Sequence, residues 1–301
     1  MLNLPLYGAL GGAFARGRPT VELAQGIMRT MAVHARAHWM PTFVDNPDVR
    51  ADGRWQGSVD TSRRVDAGVA HTVTAWVESA AEAVTQEFRL DPPWKLAAEI
   101  GGPAGDDLGP GGRYHFPTAT EWGANRQMDL HGVRVHTAGG ALRLELAMHR
   151  VTQFWNPPNG FDHVACIVFI ELPGRDGGAT VMPLQQATLP EGMRWHLRLR
   201  AGGWTGALFS AEGASDRNEG RSVAHGAAIE ADAARHTVAF TLPAAALGRL
   251  ASLSRARIFI TPRDCDCGYL ALDRQAQSHA MGGGAPSAPK VMDASPAIVL
   301  P

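Results

Sequence analysis

Two turns hold the side chains with the most chemical capacity in this chain. Gly105-Asp106-Asp107-Leu108-Gly109-Pro110-Gly111-Gly112-Arg113-Tyr114-His115-Phe116-Pro117 sets adjacent carboxylates beside aromatics, and Trp155-Asn156-Pro157-Pro158-Asn159-Gly160-Phe161-Asp162 sets an indole beside two amides. A planar indole offers an apolar face to the C–H side of a pyranose, while amides hydrogen-bond its hydroxyls. Trp155, Asn156 and Asn159 are therefore the candidate sugar platform, with Trp122, Trp204 and Tyr114 as further aromatic contacts. The competing reading of Trp155 is a core cap packed under its own loop. Asp106 and Asp107 could give a Ca²⁺ ion hard oxygen ligands, joined by backbone carbonyls and a distant carboxylate such as Asp162 or Asp264. The competing reading is an Asx-turn in which the same side chains cap their own backbone amides, and no complete calcium loop is present.

Other chemistries find less support. The three cysteines, Cys166, Cys265 and Cys267, leave at least one thiol unpaired, and the Cys-x-Cys pair supplies too few ligands for a metal. Among the 12 histidines no ligand spacing stands out; His34 and His38 are four apart and read as one polar helix face. Arg194, Arg198 and Arg200 read as the solvated face of one strand rather than an anion site. No Gly-rich phosphate loop or nucleophile elbow is present.

Charge and composition bound the partners. With 28 basic against 29 acidic residues in a chain of 301, nucleic acid and lipid headgroups are not expected to be held through charge. A hydrophobic fraction of 45% can build a sizeable core, and 34 Gly with 20 Pro fit a loop-rich β protein. No apolar run approaches the roughly 20 residues of a membrane-spanning helix. Met1 to Ala15 lacks a positive n-region and is interrupted by Pro5, so it reads as interior sequence rather than an export signal.

These side chains must be positioned by the elements around them. Val21, Ala24, Ile27, Met28, Met31 and Ala35 recur at helical spacing behind a Thr20 cap, predicting a helix over 20–39, with a short buried strand at Thr42-Phe43-Val44 after Pro41. His71 to Glu78 and Thr85 to Leu90 predict a hairpin. Val133 and Val135, the turn Ala138-Gly139-Gly140, then Leu142, Leu144, Leu146 and Met148 predict a second hairpin with one buried face. Residues 193–200 alternate as a half-exposed strand with Trp195 on the core side, and His163 to Leu172 is apolar enough for a strand buried on both faces. Further strands are expected at 204–210, 235–242, 256–261 and 297–300, and a short helix at 244–250. The fold class is mainly β, an antiparallel sandwich with a short helical and hairpin extension at the N-terminus.

The ordered motifs Gly105-Asp106-Asp107-x-Gly109-Pro110-Gly111-x-x-Tyr114-x-Phe116-Pro117, Asn156-Pro157-x-Asn159-Gly160, Gly268-Tyr269 and Gly282-Gly283-Gly284 resemble the C-terminal module of glucodextranase. That module also occurs at the ends of amylases and amylopullulanases. The resemblance covers residues 93–301 and implies a β-sandwich that binds polysaccharide or cell-envelope glycan without catalysis.

A second resemblance lies upstream. Phe43-Val44-Asp45-Asn46-Pro47-Asp48 is similar to the Phe-Val-Asp-Asn-His-Asp block of the α-amylase family of glycoside hydrolases, and Leu4-Pro5-Leu6-Tyr7 to the strand after that family's general acid. The likeness gives Asp48 the role of transition-state stabiliser, with Pro47 in place of a substrate-contacting His. Retaining hydrolysis needs a nucleophile and an acid carboxyl about 5 Å apart. In the family both come from earlier barrel strands, which this sequence does not contain.

The expected organisation is a barrel remnant over 1–50, a junction with partial Ig- or fibronectin-like strands over 51–92, and the binding module over 93–301. The expected product is a monomeric, non-catalytic module for α-glucan or cell-wall polysaccharide, whose parent protein was secreted or displayed at the cell surface. The alternatives are a hydrolase fragment acting through Asp48 and a structural attachment module.

Overall fold

The computed structural model describes residues 94–224, 226–264 and 270–301, and, nearer the N-terminus, the backbone of seven short strands. The chain divides into two compact units, Met1–Asp91 and Pro92–Pro301.

In the first unit the strands are β1 (Leu2–Leu4), β2 (Ala32–Ala35), β3 (Pro41–Phe43), β4 (Asp48–Val49), β5 (Trp55–Val59), β6 (Ala70–Trp76) and β7 (Ala83–Arg89). They form antiparallel sheets in the orders β1-β5-β4 and β3-β2-β6-β7. The expected hairpin is present as β6 and β7, with His71 opposite Phe88 and Thr74 opposite Thr85. The helix expected over 20–39 is corrected by β2, which occupies 32–35; the remainder of that span lies outside the described residues. Ala-Val-His-Ala is too short to separate a 3.6 from a 2.0 periodicity, and here its backbone pairs with strands on both sides, β3 and β6. Asp48 opens β4 opposite Gln56, and its side chain lies outside the described residues.

The regular secondary structure of the second unit is nearly all strand. Its elements are β8 (Lys95–Gly101), a one-turn helix α1 (Thr120–Gly123), β9 (Leu130–Ala138), β10 (Ala141–Met148), β11 (Val164–Glu171), β12 (Val181–Met182), β13 (Ala187–Thr188), β14 (Leu197–Gly202), β15 (Thr205–Ser210), β16 (Arg221–Val223), β17 (Ala228–Asp232), β18 (Thr237–Leu242), β19 (Arg257–Asp264) and β20 (Ile298–Val299). A five-stranded sheet runs β17-β18-β10-β9-β8 and a six-stranded sheet runs β16-β15-β14-β11-β19-β20, antiparallel throughout.

Alternation explains the core. Val133, Val135, Leu142, Leu144 and Leu146 from the first sheet and Cys166, Val168, Ile170, Leu197 and Leu199 from the second belong to one buried cluster. The β9–β10 hairpin turns through Gly139 and Gly140, both at positive φ (52° and 83°), the conformation that matches a two-residue turn to the twist of its strands. Strand β11 is buried on both faces, as its unbroken apolar run predicts. Its second face, Ala165, Ile167 and Phe169, packs with Met182, Leu189, Met193, Trp195 and Phe259 under the β12–β13 ribbon and its flanking segments.

That second layer overturns the expected solvated face at Arg198, whereas Arg194 is exposed and Arg200 half-buried. Arg198 is fully buried, its guanidinium 5.9 Å from the Phe169 ring centre and 5.6 Å from that of Phe209, with Glu219 3.7 Å away. Charged alternation on one strand reads as solvent-facing only when nothing covers the sheet. The helix expected at 244–250 is also absent: Ala246, Leu247 and Gly248 donate to Pro243, Ala244 and Ala245, which is a series of overlapping four-residue turns. Positive φ at Gly248 and Arg249 closes it before an α-helical turn can propagate.

Candidate functional site

The 153–163 segment joins β10 to β11 and is organised from beneath by one carboxylate. Asp162, fully buried, accepts hydrogen bonds from Thr152 Oγ1 (2.6 Å) and the Trp155 N–H (2.8 Å), and lies 2.7 Å from His163 Nδ1. Burial would raise the Asp162 carboxyl, but the bonds from His163, Thr152 and Trp155 outweigh it and hold the group below its ordinary value. A carboxylate fixed in this way sets both the loop backbone at Trp155 and the plane of the His163 imidazole.

On that base stands an aromatic cluster. Trp155 lies over His163, ring centres 4.0 Å apart and planes inclined by 33°. Trp122, buried beneath, meets Trp155 edge-on at 5.7 Å and His163 edge-on at 4.7 Å. Above them three aromatics reach solvent: Phe154 is 57% exposed, Trp155 37% and Trp204 43%. Trp155 and Trp204 are 6.1 Å apart and inclined by 38°, an open V rather than a stack.

Trp204 arrives from the turn between β14 and β15, in which Gly202 pairs with Thr205. The two loops are tied together. Asn159 Nδ2 donates to Gly202 O (2.7 Å) and Thr205 O (3.2 Å), and the Asn159 N–H donates to Gly203 O (3.0 Å). Gly203 is required by contact: a Cβ there would overlap the Phe161 carbonyl oxygen and sit 2.8 Å from Pro157 Cβ.

The residues singled out from sequence therefore separate. Trp155 and Trp204 come together on the surface, and Trp122 supports them without reaching solvent. Asn159 spends its amide on the neighbouring turn, and Asn156 occupies a left-handed backbone position at φ 49°. Tyr114 is buried and donates its hydroxyl to Pro289 O (2.6 Å). Phe154 and His163 were not singled out; the adjacent pair Phe154-Trp155 in a Pro- and Gly-rich turn was the available signal for the first.

The carboxylates regroup as well. Asp107 is buried against Arg126; burial raises its carboxyl and the guanidinium opposes the rise. Asp106 converges with Asp129 and Asp293 rather than with Asp107 and Asp162. Burial, together with the charges of Asp106 and Asp129, pushes Asp293 up to about 7 against hydrogen bonds from the Leu130 and Ala294 N–H groups. Two concavities among the described residues, about 680 Å³ beside Pro110, Met182 and Phe259 and about 370 Å³ beside Lys95, Thr137 and Leu253, are lined by other residues.

Residues 97–297 match the family model described as the C-terminal binding module, SLH-like, of glucodextranase. No curated protein matches the chain significantly.

Proposed function

Since the chain belongs to the family of SLH-like C-terminal binding modules of glucodextranase, we propose that it binds polysaccharide through Phe154, Trp155 and Trp204. The observation that supports this reading is the joint exposure of three large aromatics on one rigid base. Burying such rings against the protein would gain on the order of 2 kcal/mol each, so contiguous exposure points to a partner surface. The flat C–H face of a pyranose fits an indole, and an inclined pair of indoles fits two successive residues of a curved glycan chain.

The reading contains no catalytic step. The choice of α-glucan over other polysaccharide rests on the likeness of residues 43–48 to the amylase block, and descent from an amylase-type hydrolase is part of the proposal on the same ground. Affinity electrophoresis of the chain in gels containing starch, pullulan or dextran, run beside pull-down on isolated cell wall, tests it. Retardation by one of the glucans is expected. Retention on cell wall alone would move the ligand to an envelope glycan, and no retention on any of them would remove the carbohydrate reading.

A further inference from the structure

Asp129, His131 and His149 bring one carboxylate and two imidazoles to a common point, with their ligand atoms all within 4.8 Å of one another. The β9–β10 pairing creates this. From the turn down to Gly132 opposite Ala147 the register is regular, and it then steps so that Met148 faces Leu130. His131 is the unpaired residue of a β-bulge, and beyond it the His149 N–H donates to Asp129 O (2.8 Å). A bulge re-aims the side chain it carries. Here the histidine flanked by the step turns to the same point as the pair Asp129 and His149.

The spacing suits ligands sharing one ion better than hydrogen-bonded partners. His131 Nε2 lies 3.4 Å and His149 Nδ1 3.8 Å from Asp129 Oδ2. Bonds of about 2.0–2.1 Å to a tetrahedral ion give ligand-to-ligand edges of roughly 3.3 Å. His131 Nε2 is a buried ring nitrogen with no hydrogen-bond partner, a position that ordinarily costs free energy unless something occupies it. The two rings meet edge-on, centres 5.4 Å apart at 80°.

Asp129 and the His131 Nε2 atom are buried while the His149 side chain is 43% exposed, so His149 forms the solvent-facing side of the cluster. Asp129 is itself fixed by the Gly105 N–H (3.0 and 3.1 Å). The nearest cation, Arg126 at 3.8 Å, is engaged by Asp107.

We propose that Asp129, His131 and His149 form a binding site for a zinc-class divalent ion. Two nitrogens and one oxygen suit Zn²⁺ and its neighbours, whereas Ca²⁺ takes six to eight oxygens. The site is independent of the aromatic surface and of the glycan reading.

The test is Zn²⁺ titration of the untagged full chain in competition with a chromogenic chelator, with folding of each variant checked by circular dichroism. One tight equivalent is expected. His131→Ala and His149→Ala should each weaken it at least about tenfold, while His136→Ala, on the same strand but outside the cluster, leaves it unchanged. A large excess of Ca²⁺ should not displace the zinc. Absence of zinc uptake, full affinity in both histidine variants, or displacement by Ca²⁺ onto the carboxylates alone would overturn the assignment.

Discussion

The Trp155 indole rests on the His163 imidazole at 4.0 Å, and His163 is in turn held by Asp162 at 2.7 Å, so an exposed ring is oriented by a buried carboxylate two contacts away. An oriented ring loses little freedom when a sugar lands on it. Trp155→Ala and Trp204→Ala are each expected to weaken retardation in the responsive glucan gel by about thirtyfold in Kd, near 2 kcal/mol. Both side chains are exposed, so melting temperatures should move little. Trp122→Ala should do the reverse, destabilising the fold by about 3–5 kcal/mol because a fully buried indole is removed. Glycan affinity unchanged from the native chain in both the Trp155 and Trp204 variants would rule out this surface.

Gly203 tests whether the two loops act together. Its missing Cβ is what lets the β14–β15 turn approach Phe161 O and Pro157. Gly203→Ala should push the turn outward, costing about 1–3 kcal/mol of stability and carrying Trp204 away from Trp155. Glycan affinity measured well below the melting transition should therefore fall even though no exposed aromatic has been changed. A variant that loses stability and keeps full affinity would show that Trp204 acts apart from Trp155.

The sandwich was legible because its determinants are local: the Gly139-Gly140 turn, the alternation from Val133 to Met148 and the unbroken run of β11 each specify their own element. What misled was context. Arg198 carries the alternation of a solvated face, yet it is fully buried beside Phe209 of the neighbouring strand, on the sheet face that the β12–β13 segment covers. Trp155 and Trp204 were both readable as aromatics in turns, but their proximity depends on Asn159 bonding across to Gly202. Asp129 and His149 were harder still. Counting back from the hairpin turn without a bulge puts His149 opposite Leu130, on the other face, and only the one-residue step at His131 brings it to Asp129.

Tyr114 separates a structural aromatic from a binding one. Its hydroxyl donates to Pro289 O at 2.6 Å, and its ring fills the space over Gly109. Tyr114→Phe keeps the ring and removes the bond, so a loss of about 1 kcal/mol is expected in urea unfolding, with glycan affinity unchanged. Weakened sugar binding in a stably folded Tyr114→Phe chain would return the residue to the ligand surface.

His196 sets an acid limit on the module. Burial, and then the nearby Arg175 charge, hold its imidazole below the ordinary value of 6.5, and Nδ1 accepts the Leu172 N–H at 2.9 Å, a role only the neutral ring can fill. With the folded value lowered, the unfolded chain binds the proton more strongly. The contribution is therefore complete above 6.5 and is lost as pH falls from there to the folded value, with a slope of at most about 1.4 kcal/mol per pH unit. Urea midpoints taken from about pH 7.5 to 5.5 should fall in the native chain and fall less steeply in His196→Gln, whose amide oxygen can still accept from Leu172 without taking up a proton. Parallel slopes for the two chains would assign the acid sensitivity to other groups.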